Sequence, residues 1–142
     1  METLVVKIAR SKKDLQEVMR IRITVFVNEQ KVPKHLEMDG LDGAAKHVIA
    51  IYGNTPVGCA RIRFTRKKAK LERLAILKKF RGKGFGKLIM FYMVDYCKRQ
   101  KSSEIIIHAQ YYLKEFYENL DFKIRGQAFM EAGIKHIEMY KI

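Results

Sequence analysis

A short glycine-rich and basic stretch, KKFRGKGFGK at Lys78–Lys87, has residue types and spacing that suit anion binding. It holds five cations, no acid, and three glycines at alternating positions, Gly82, Gly84 and Gly86. Glycine weakens helices and strands, so such a run needs a reason. One reason is a loop whose amide N–H groups approach an anion closely, and the other is a flexible basic loop without a ligand. The flanks favour the anion site, because LERLAIL predicts a strand before it and KLIMFYMVDYCKRQ a helix after it.

Two common phosphate motifs do not fit this stretch. A P-loop requires G-x-x-x-x-G-K-[ST], but Gly82 and Lys87 are too close together and Leu88 replaces the metal-binding hydroxyl. A dinucleotide fingerprint requires G-x-G-x-x-G within repeated βαβ units, and neither the glycine spacing nor the element order agrees. These two motifs therefore do not identify the anion.

The elements that must position this loop follow the order β-α-(α)-β-β-β-α-β-α-β-β. TLVVKIA (Thr3–Ala9) predicts the first strand, and Ser11 predicts a helix start, with Asp14 completing an approximate capping box. Residues 27–46 predict a loop with room for a short helix, and the last two strands join around Gly133. This order predicts an α+β fold with a mixed, mostly antiparallel sheet flanked by helices. A single parallel, right-handed crossover should carry the glycine loop.

Composition narrows the class of protein and of partner. The length of 142 residues predicts one domain over residues 1–142. Lys and Arg total 29 against 15 Asp and Glu, a net charge of +14 that favours an anionic partner. Cys59 and Cys97 fit no metal spacing and predict reduced thiols in a cytoplasmic protein. The apolar runs are too short to cross a bilayer, so no membrane partner is expected.

The segment Arg81–Gly86 (RGKGFG) resembles the R/Q-x-x-G-x-G/A loop of the GNAT N-acetyltransferase family. LERLAILKKFRGKGFGKLI resembles the whole strand–loop–helix motif A of that family, and FYENLDF resembles its second motif. RITVFVNEQ, HAQ and AGIKHIEM resemble a subgroup of small single-domain bacterial members. Asp121 stands where the family usually has Gly, which affects the geometry of one turn rather than the fold. The resemblance covers essentially the whole chain and implies the GNAT acyl-CoA N-acyltransferase fold.

This resemblance implies acetyl-CoA as co-substrate and no metal. In the family, the loop wraps the pyrophosphate of acetyl-CoA, and the strand before it pairs through its backbone with the pantetheine. The cofactor-binding residues that follow from it are Leu74, Ile76, Arg81, Gly82, Lys83, Gly84, Phe85, Gly86 and Gln110.

Tyr117 and Glu72 are the catalytic candidates that the resemblance implies. The family's matching tyrosine protonates the departing thiolate as a general acid, and the alternative for Tyr117 is an aromatic ring on a core helix face. Glu72 lies two residues before Leu74, where other members carry the base. Its alternative is an exposed strand glutamate that faces Lys70 or Arg73.

Three further residues are candidates for binding the amine acceptor. Glu29 and Asp39 lie in the region that usually covers the acceptor site in the family, and the alternative for each is a solvated loop acid. His108 follows the strand beside motif A, and its alternative is a structural histidine.

The predicted function is transfer of the acetyl group of acetyl-CoA to a primary amine, with a small molecule as acceptor. Direct attack needs no metal. Homodimers are common in the family, so the resemblance leaves a homodimer open. Two other functions stay open: an inactive GNAT protein that senses acyl-CoA, and a basic nucleic-acid-binding module. Dispersed basic residues and the absence of a nucleic-acid-binding motif in the sequence disfavour the last, so no specific nucleic-acid partner is expected.

Overall fold

A single seven-stranded sheet organises the computed structural model, which describes residues 2–142. The strand order is β1-β2-β3-β4-β5-β7-β6, and every neighbouring pair is antiparallel except β4 and β5. The strands are β1 (Leu4–Ile8), β2 (Lys46–Tyr52), β3 (Thr55–Thr65), β4 (Lys68–Ile76), β5 (Glu104–Gln110), β6 (Lys123–Glu131) and β7 (Ile134–Lys141). The predicted α+β class, mixed sheet and single parallel crossover are confirmed.

Within residues 2–142, four α-helices and one π-helix accompany the sheet. The α-helices are α1 (Lys12–Arg22), α2 (Lys34–Glu37), α3 (Phe85–Arg99) and α4 (Lys114–Glu118), and the π-helix Ile23–Glu29 continues α1 directly. The Oγ of Ser11 accepts a hydrogen bond from the Asp14 amide at 3.0 Å, as the sequence predicted for this helix start. Over residues 2–142, no helix is both long enough and apolar enough to cross a bilayer.

Helices cover both faces of the sheet because alternate strand residues point to opposite sides. Val48 and Ala50 of β2 pack in the same cluster as Ile89 and Met93 of α3. Ile49, which lies between them, packs with α1 on the other face. The strand β2 therefore reads as a continuous apolar run, as expected for a strand buried on both sides.

The site depends on the place where β4 and β5 separate. These strands pair only from Lys68–Leu71 to Glu104–Ile107, although each continues beyond that ladder. A β-bulge in β4 bends the strand just past the last pair, and Arg73 there has a positive φ of 60°. Because bulges bend and twist the strand that contains them, the carboxyl-terminal halves of β4 and β5 diverge and leave a cleft.

Candidate functional site

A cavity of about 410 Å³ occupies the cleft between the diverging strands. Met90 and Met93 of α3 form part of its wall, and α4 and the segment after the π-helix supply other parts. Of the residues predicted from the sequence, Asp39, Glu72, Leu74, His108, Gln110 and Tyr117 line this cavity. The other predicted residues, Glu29, Ile76 and Arg81–Gly86, do not line the cavity. Ile76 ends β4, the loop Arg81–Gly86 leads into α3, and Glu29 binds Arg81 of that loop.

The glycine loop presents unpaired amide groups at the N-terminus of α3. Gly82 and Gly84 have positive φ values of 78° and 81°, a conformation that glycine adopts without strain. The first helical hydrogen bond runs from the Leu88 amide to the Gly84 carbonyl, at 3.2 Å. Within the described chain, no amide from Gly82 to Lys87 donates to a backbone carbonyl. This loop can therefore bind an anion through its backbone, at the positive end of the helix dipole.

The loop and the cavity are joined through one aromatic residue. A Cβ atom at Gly86 would lie 3.7 Å from Cζ of Phe116. The Phe116 ring in turn packs edge-on against Tyr117, with centroids 5.0 Å apart. A ligand bound at the loop could therefore extend a short distance and reach the cavity wall that contains Tyr117.

Arg81 is engaged by the backbone and by Glu29. Its Nε donates to the Ile76 carbonyl at 2.9 Å, and its two terminal nitrogens bind the two carboxylate oxygens of Glu29 at 2.5 and 2.9 Å. The hydrogen bond from Arg81 lowers the pKa of Glu29. The predicted contact of Arg81 with pyrophosphate would require its guanidinium to leave Glu29. The roles assigned to these two residues stay predictions.

Tyr117 is buried in the cavity wall with its ring between two phenylalanines. It is 7% exposed, and the centroid of Phe122 lies 6.2 Å from its own. Burial raises the pKa of its phenol above the ordinary value. The phenol therefore keeps its proton at physiological pH, and its raised pKa makes it a weaker acid than an exposed tyrosine.

Glu72 lies in the cavity wall, but cations surround its carboxylate. It accepts hydrogen bonds from Arg61 at 2.9 Å and Arg63 at 2.6 Å, and Lys70 Nζ lies 3.5 Å away. Burial opposes its ionisation, yet the hydrogen bond from Arg63 and the positive charges outweigh that effect and lower its pKa. A carboxylate held in this way is a weak base, and its predicted role as the general base stays a prediction.

Asp39 belongs to a network of buried arginines and carboxylates beside the cavity. Arg61, which is fully buried, donates to both oxygens of Asp39 at 2.9 and 2.8 Å, and this contact holds the pKa of Asp39 far below its usual range. Arg22, also fully buried, binds Glu37 and Asp42 at 2.6 and 2.7 Å. The network attaches the segment from Glu37 to Asp42 to the sheet, so Asp39 has a structural contact as well as a place in the cavity wall.

His108 and Gln110, at the end of β5, each contact residues that the sequence did not assign to the site. Nε2 of His108 lies 3.0 Å from a carboxylate oxygen of Glu138. The amide of Gln110 donates to the side-chain oxygen of Gln30 at 2.9 Å, which joins β5 to the end of the π-helix across the cleft. Their predicted roles in binding acceptor and cofactor stay predictions.

The cavity wall also contains polar residues that were not predicted for the site, among them Gln30, Glu131 and His136. The strand alternation of IKHIEM places His136 and Glu138 on one face of β7, and that signal was available in the sequence. The position of Glu131 depends on the pairing of β6 with β7, which sequence does not determine. No group of three or more His, Cys, Asp or Glu within residues 2–142 is placed to hold a metal ion.

Neither cysteine is suited to act as a nucleophile. Cys59 and Cys97 are both buried free thiols, and burial raises the pKa of each to about 12. Since only the thiolate is strongly nucleophilic, an acyl-enzyme at either residue is disfavoured.

Comparison of the sequence with known proteins identifies its family. The family model described as an acetyltransferase (GNAT) domain matches residues 10–142. A Bacillus subtilis (strain 168) relative called Uncharacterized N-acetyltransferase YjcF is 33% identical over 135 residues, which cover 94% of this chain and 96% of the relative.

Solved structures agree as well. An acyl-CoA N-acyltransferase from Pseudomonas aeruginosa superposes over 100% of both chains with a TM-score of 0.88 and 25% identity. A GNAT family acetyltransferase from Elizabethkingia anophelis, solved with acetyl-CoA bound, covers 96% of each chain with a TM-score of 0.75 and 12% identity, which shows the shared fold. Acetyl-CoA is the co-substrate of the family, as the sequence predicted. On the family match and the fold together, this chain belongs to the GNAT acetyltransferase family.

Proposed function

We propose that this protein is an N-acetyltransferase that moves the acetyl group of acetyl-CoA to a small primary amine. One observation carries the proposal. A glycine loop whose amides donate to no backbone carbonyl lies against Phe116, which packs on the buried Tyr117 in the wall of the cavity. That sequence of features suits a ligand with a phosphate group at one end and a reactive thioester at the other.

The cofactor would use residues on both sides of the cleft. The amides of Gly82–Gly86 would bind the pyrophosphate, and Lys83 would add charge. Leu74 and Ile76 lie on the half of β4 that has left β5, so this edge is available to the amides of the pantetheine arm. Gln110 lies on the opposite wall, at the end of β5.

The chemistry is a direct attack. The neutral amine nitrogen forms a bond to the thioester carbonyl carbon, and a backbone N–H of β4 would stabilise the resulting oxyanion. The carbon–sulfur bond then breaks as the Tyr117 hydroxyl gives its proton to the departing thiolate. The attacking nitrogen loses its extra proton as the amide forms, and that proton restores the Tyr117 phenol. General acid catalysis of this kind typically contributes about 10² to 10⁴ in rate.

A small acceptor is favoured by the size of the cavity. Its volume of about 410 Å³ lies near the lower end of the range for small-molecule sites. The acetyl end of the cofactor and the acceptor would have to share this space, which leaves little room for a large acceptor.

The direct test combines binding and turnover. Calorimetry with CoA should give a one-to-one complex, and a panel of primary amines with acetyl-CoA should release one thiol for each amide found by mass spectrometry. CoA binding without thiol release from any amine would favour an acyl-CoA sensor instead. Absence of CoA binding would contradict the proposal at its first step.

A further inference from the structure

A group of proton-accepting side chains at one end of the cavity has no part in the steps described so far. Glu131 ends β6, His136 lies on β7 and His108 lies on β5, and the strand order β5-β7-β6 brings them together in the cavity wall. One carboxylate oxygen of Glu131 is 3.8 Å from His108 Nδ1, and the other is 3.6 Å from His136 Nε2. Each carboxylate oxygen thus faces a different imidazole nitrogen.

Contacts on the far sides of the two rings indicate which nitrogens carry hydrogen. His136 Nδ1 lies 2.7 Å from the Ile134 carbonyl oxygen, which can only accept, so the neutral ring has its lone pair on Nε2. His108 Nε2 lies 3.0 Å from the Glu138 carboxylate, which likewise requires the hydrogen to be on Nε2. Nδ1 of His108 is buried and has no hydrogen-bond partner within residues 2–142. When both rings are neutral, two lone pairs and the Glu131 carboxylate therefore face one another with no donor between them.

We propose that His108, Glu131 and His136 bind the acceptor as its ammonium ion, and that His108 Nδ1 removes the proton. The inference rests on the proposed function, since it supplies the neutral amine that attacks the thioester. A primary ammonium group has three N–H donors, which match the three acceptors.

The proton transfer moves one positive charge from the ammonium to His108 and leaves the total charge unchanged. One N–H bond of the ammonium breaks as an N–H bond forms at His108 Nδ1, so a neutral amine and an imidazolium replace an ammonium and a neutral imidazole. The Glu131 carboxylate is the counterion before and after the step. Its side chain is 49% exposed, which gives the proton a route to solvent after each turnover.

The charges around His108 determine where this base titrates. On β6, Glu131 faces Nδ1 and is the largest cause of the raised pKa of His108, while burial and the positive charge of Lys70 on β4 oppose it. On β7, Glu138 faces Nε2 and is itself bound by Arg125 of β6 at 2.8 Å. His108 accepts a proton only when neutral, so kcat/KM should fall as the pH drops through a pKa that lies above the ordinary histidine value. Without the Glu131 charge, this acidic limb should move to lower pH.

The test compares two acceptors in Glu131→Gln and His108→Gln. A simple alkylamine is an ammonium ion at pH 7, whereas 2,2,2-trifluoroethylamine is largely neutral and needs no base. With the alkylamine, kcat/KM should fall by about 10² to 10⁴ in His108→Gln, the usual contribution of a general base. It should also fall in Glu131→Gln, which loses the counterion of the bound ammonium. With the fluorinated amine, the wild-type kcat/KM should exceed that of each variant by less than about 10-fold. With the alkylamine, the acidic limb of the kcat/KM–pH profile of Glu131→Gln should lie at lower pH than in wild type.

The matched control is Glu17→Gln, which makes the same chemical change on α1, far from the cavity wall, where Glu17 pairs with Arg20. It should behave as wild type with both amines. Equal losses with both amines would overturn the inference, because a change in cavity shape does not depend on the protonation state of the acceptor. Wild-type rates in both site variants would overturn it as well. A wild-type protein that binds CoA but acetylates no amine of the panel would refute the proposed function, and this inference with it.

Discussion

Replacement of Gly84 by valine tests whether the backbone conformation of the glycine loop is needed for CoA binding. Gly84 has φ of 81°, and a Cβ atom there would meet nothing within 4 Å. A β-branched residue at this φ is strained by about 1–3 kcal/mol, so the free energy of unfolding should fall by that amount or the loop should change its conformation. Either response disturbs the amides that point toward the proposed pyrophosphate.

The expected loss of CoA affinity can be estimated from those amides. A hydrogen bond to a charged group contributes about 1.5–3 kcal/mol, so losing one should weaken CoA binding by about 2 kcal/mol, or about 30-fold in Kd. Isothermal titration calorimetry on folded protein measures this directly. Gly126→Val is the matched control, because Gly126 has φ of 82° and the same open surroundings but lies on β6, away from the loop.

The two variants should lose similar stability, and only Gly84→Val should lose CoA affinity. An unchanged Kd for CoA in a folded Gly84→Val protein would refute the assignment of the loop. Equal losses of affinity in both variants would show that general destabilisation, and not the loop geometry, explains the effect.

Three further predictions concern stability and reactivity. Arg61→Met removes a fully buried cation that binds three carboxylates, Asp39 among them. The free energy of unfolding in urea should fall by about 3–5 kcal/mol, and a loss below about 1 kcal/mol would contradict the account of the network. Asp121→Gly should raise the free energy of unfolding by about 0.5–1 kcal/mol, because Asp121 has φ of 68°; a decrease would indicate that its side chain stabilises the turn. Cys59 and Cys97 should react with a thiol reagent at pH 8 only after unfolding, because the pKa of each buried thiol is about 12; rapid labelling of the folded protein would refute their burial.

Features that depend on neighbouring residues in the chain were predictable from the sequence. Ser11 forms the helix cap that its residue type favours, and the strand, glycine loop and helix around Gly82 follow one another as expected. Asp121 adopts the left-handed backbone that a glycine usually supplies at this turn, so the departure from the family pattern leaves the turn intact.

Features that depend on pairing across the fold could not be predicted. Glu29 and Arg81 are 52 positions apart in the chain, and only the π-helix brings Glu29 to the end of β4. The cationic surroundings of Glu72 arise from the register of β3 against β4, which is shifted by the bulge. Glu131 reaches His108 only because β7 lies between β5 and β6 in the sheet. Strand order and register are set by the packing of the whole sheet, so residue spacing alone does not reveal them.

The steady-state kinetics of Tyr117→Phe test the central claim, which is that acetyl transfer occurs in this cavity with Tyr117 as the general acid. The substitution removes one hydroxyl and keeps the ring that packs on Phe116 and Phe122, so the fold and the CoA affinity should persist. Tyr96→Phe is the control, because Tyr96 stacks on Tyr92 on α3, outside the cavity. For Tyr117→Phe, kcat should fall by about 10² to 10⁴ with little change in the KM for acetyl-CoA, because the proton matters only as charge develops on sulfur. A kcat close to wild type in folded Tyr117→Phe would remove Tyr117 from the mechanism and contradict the account.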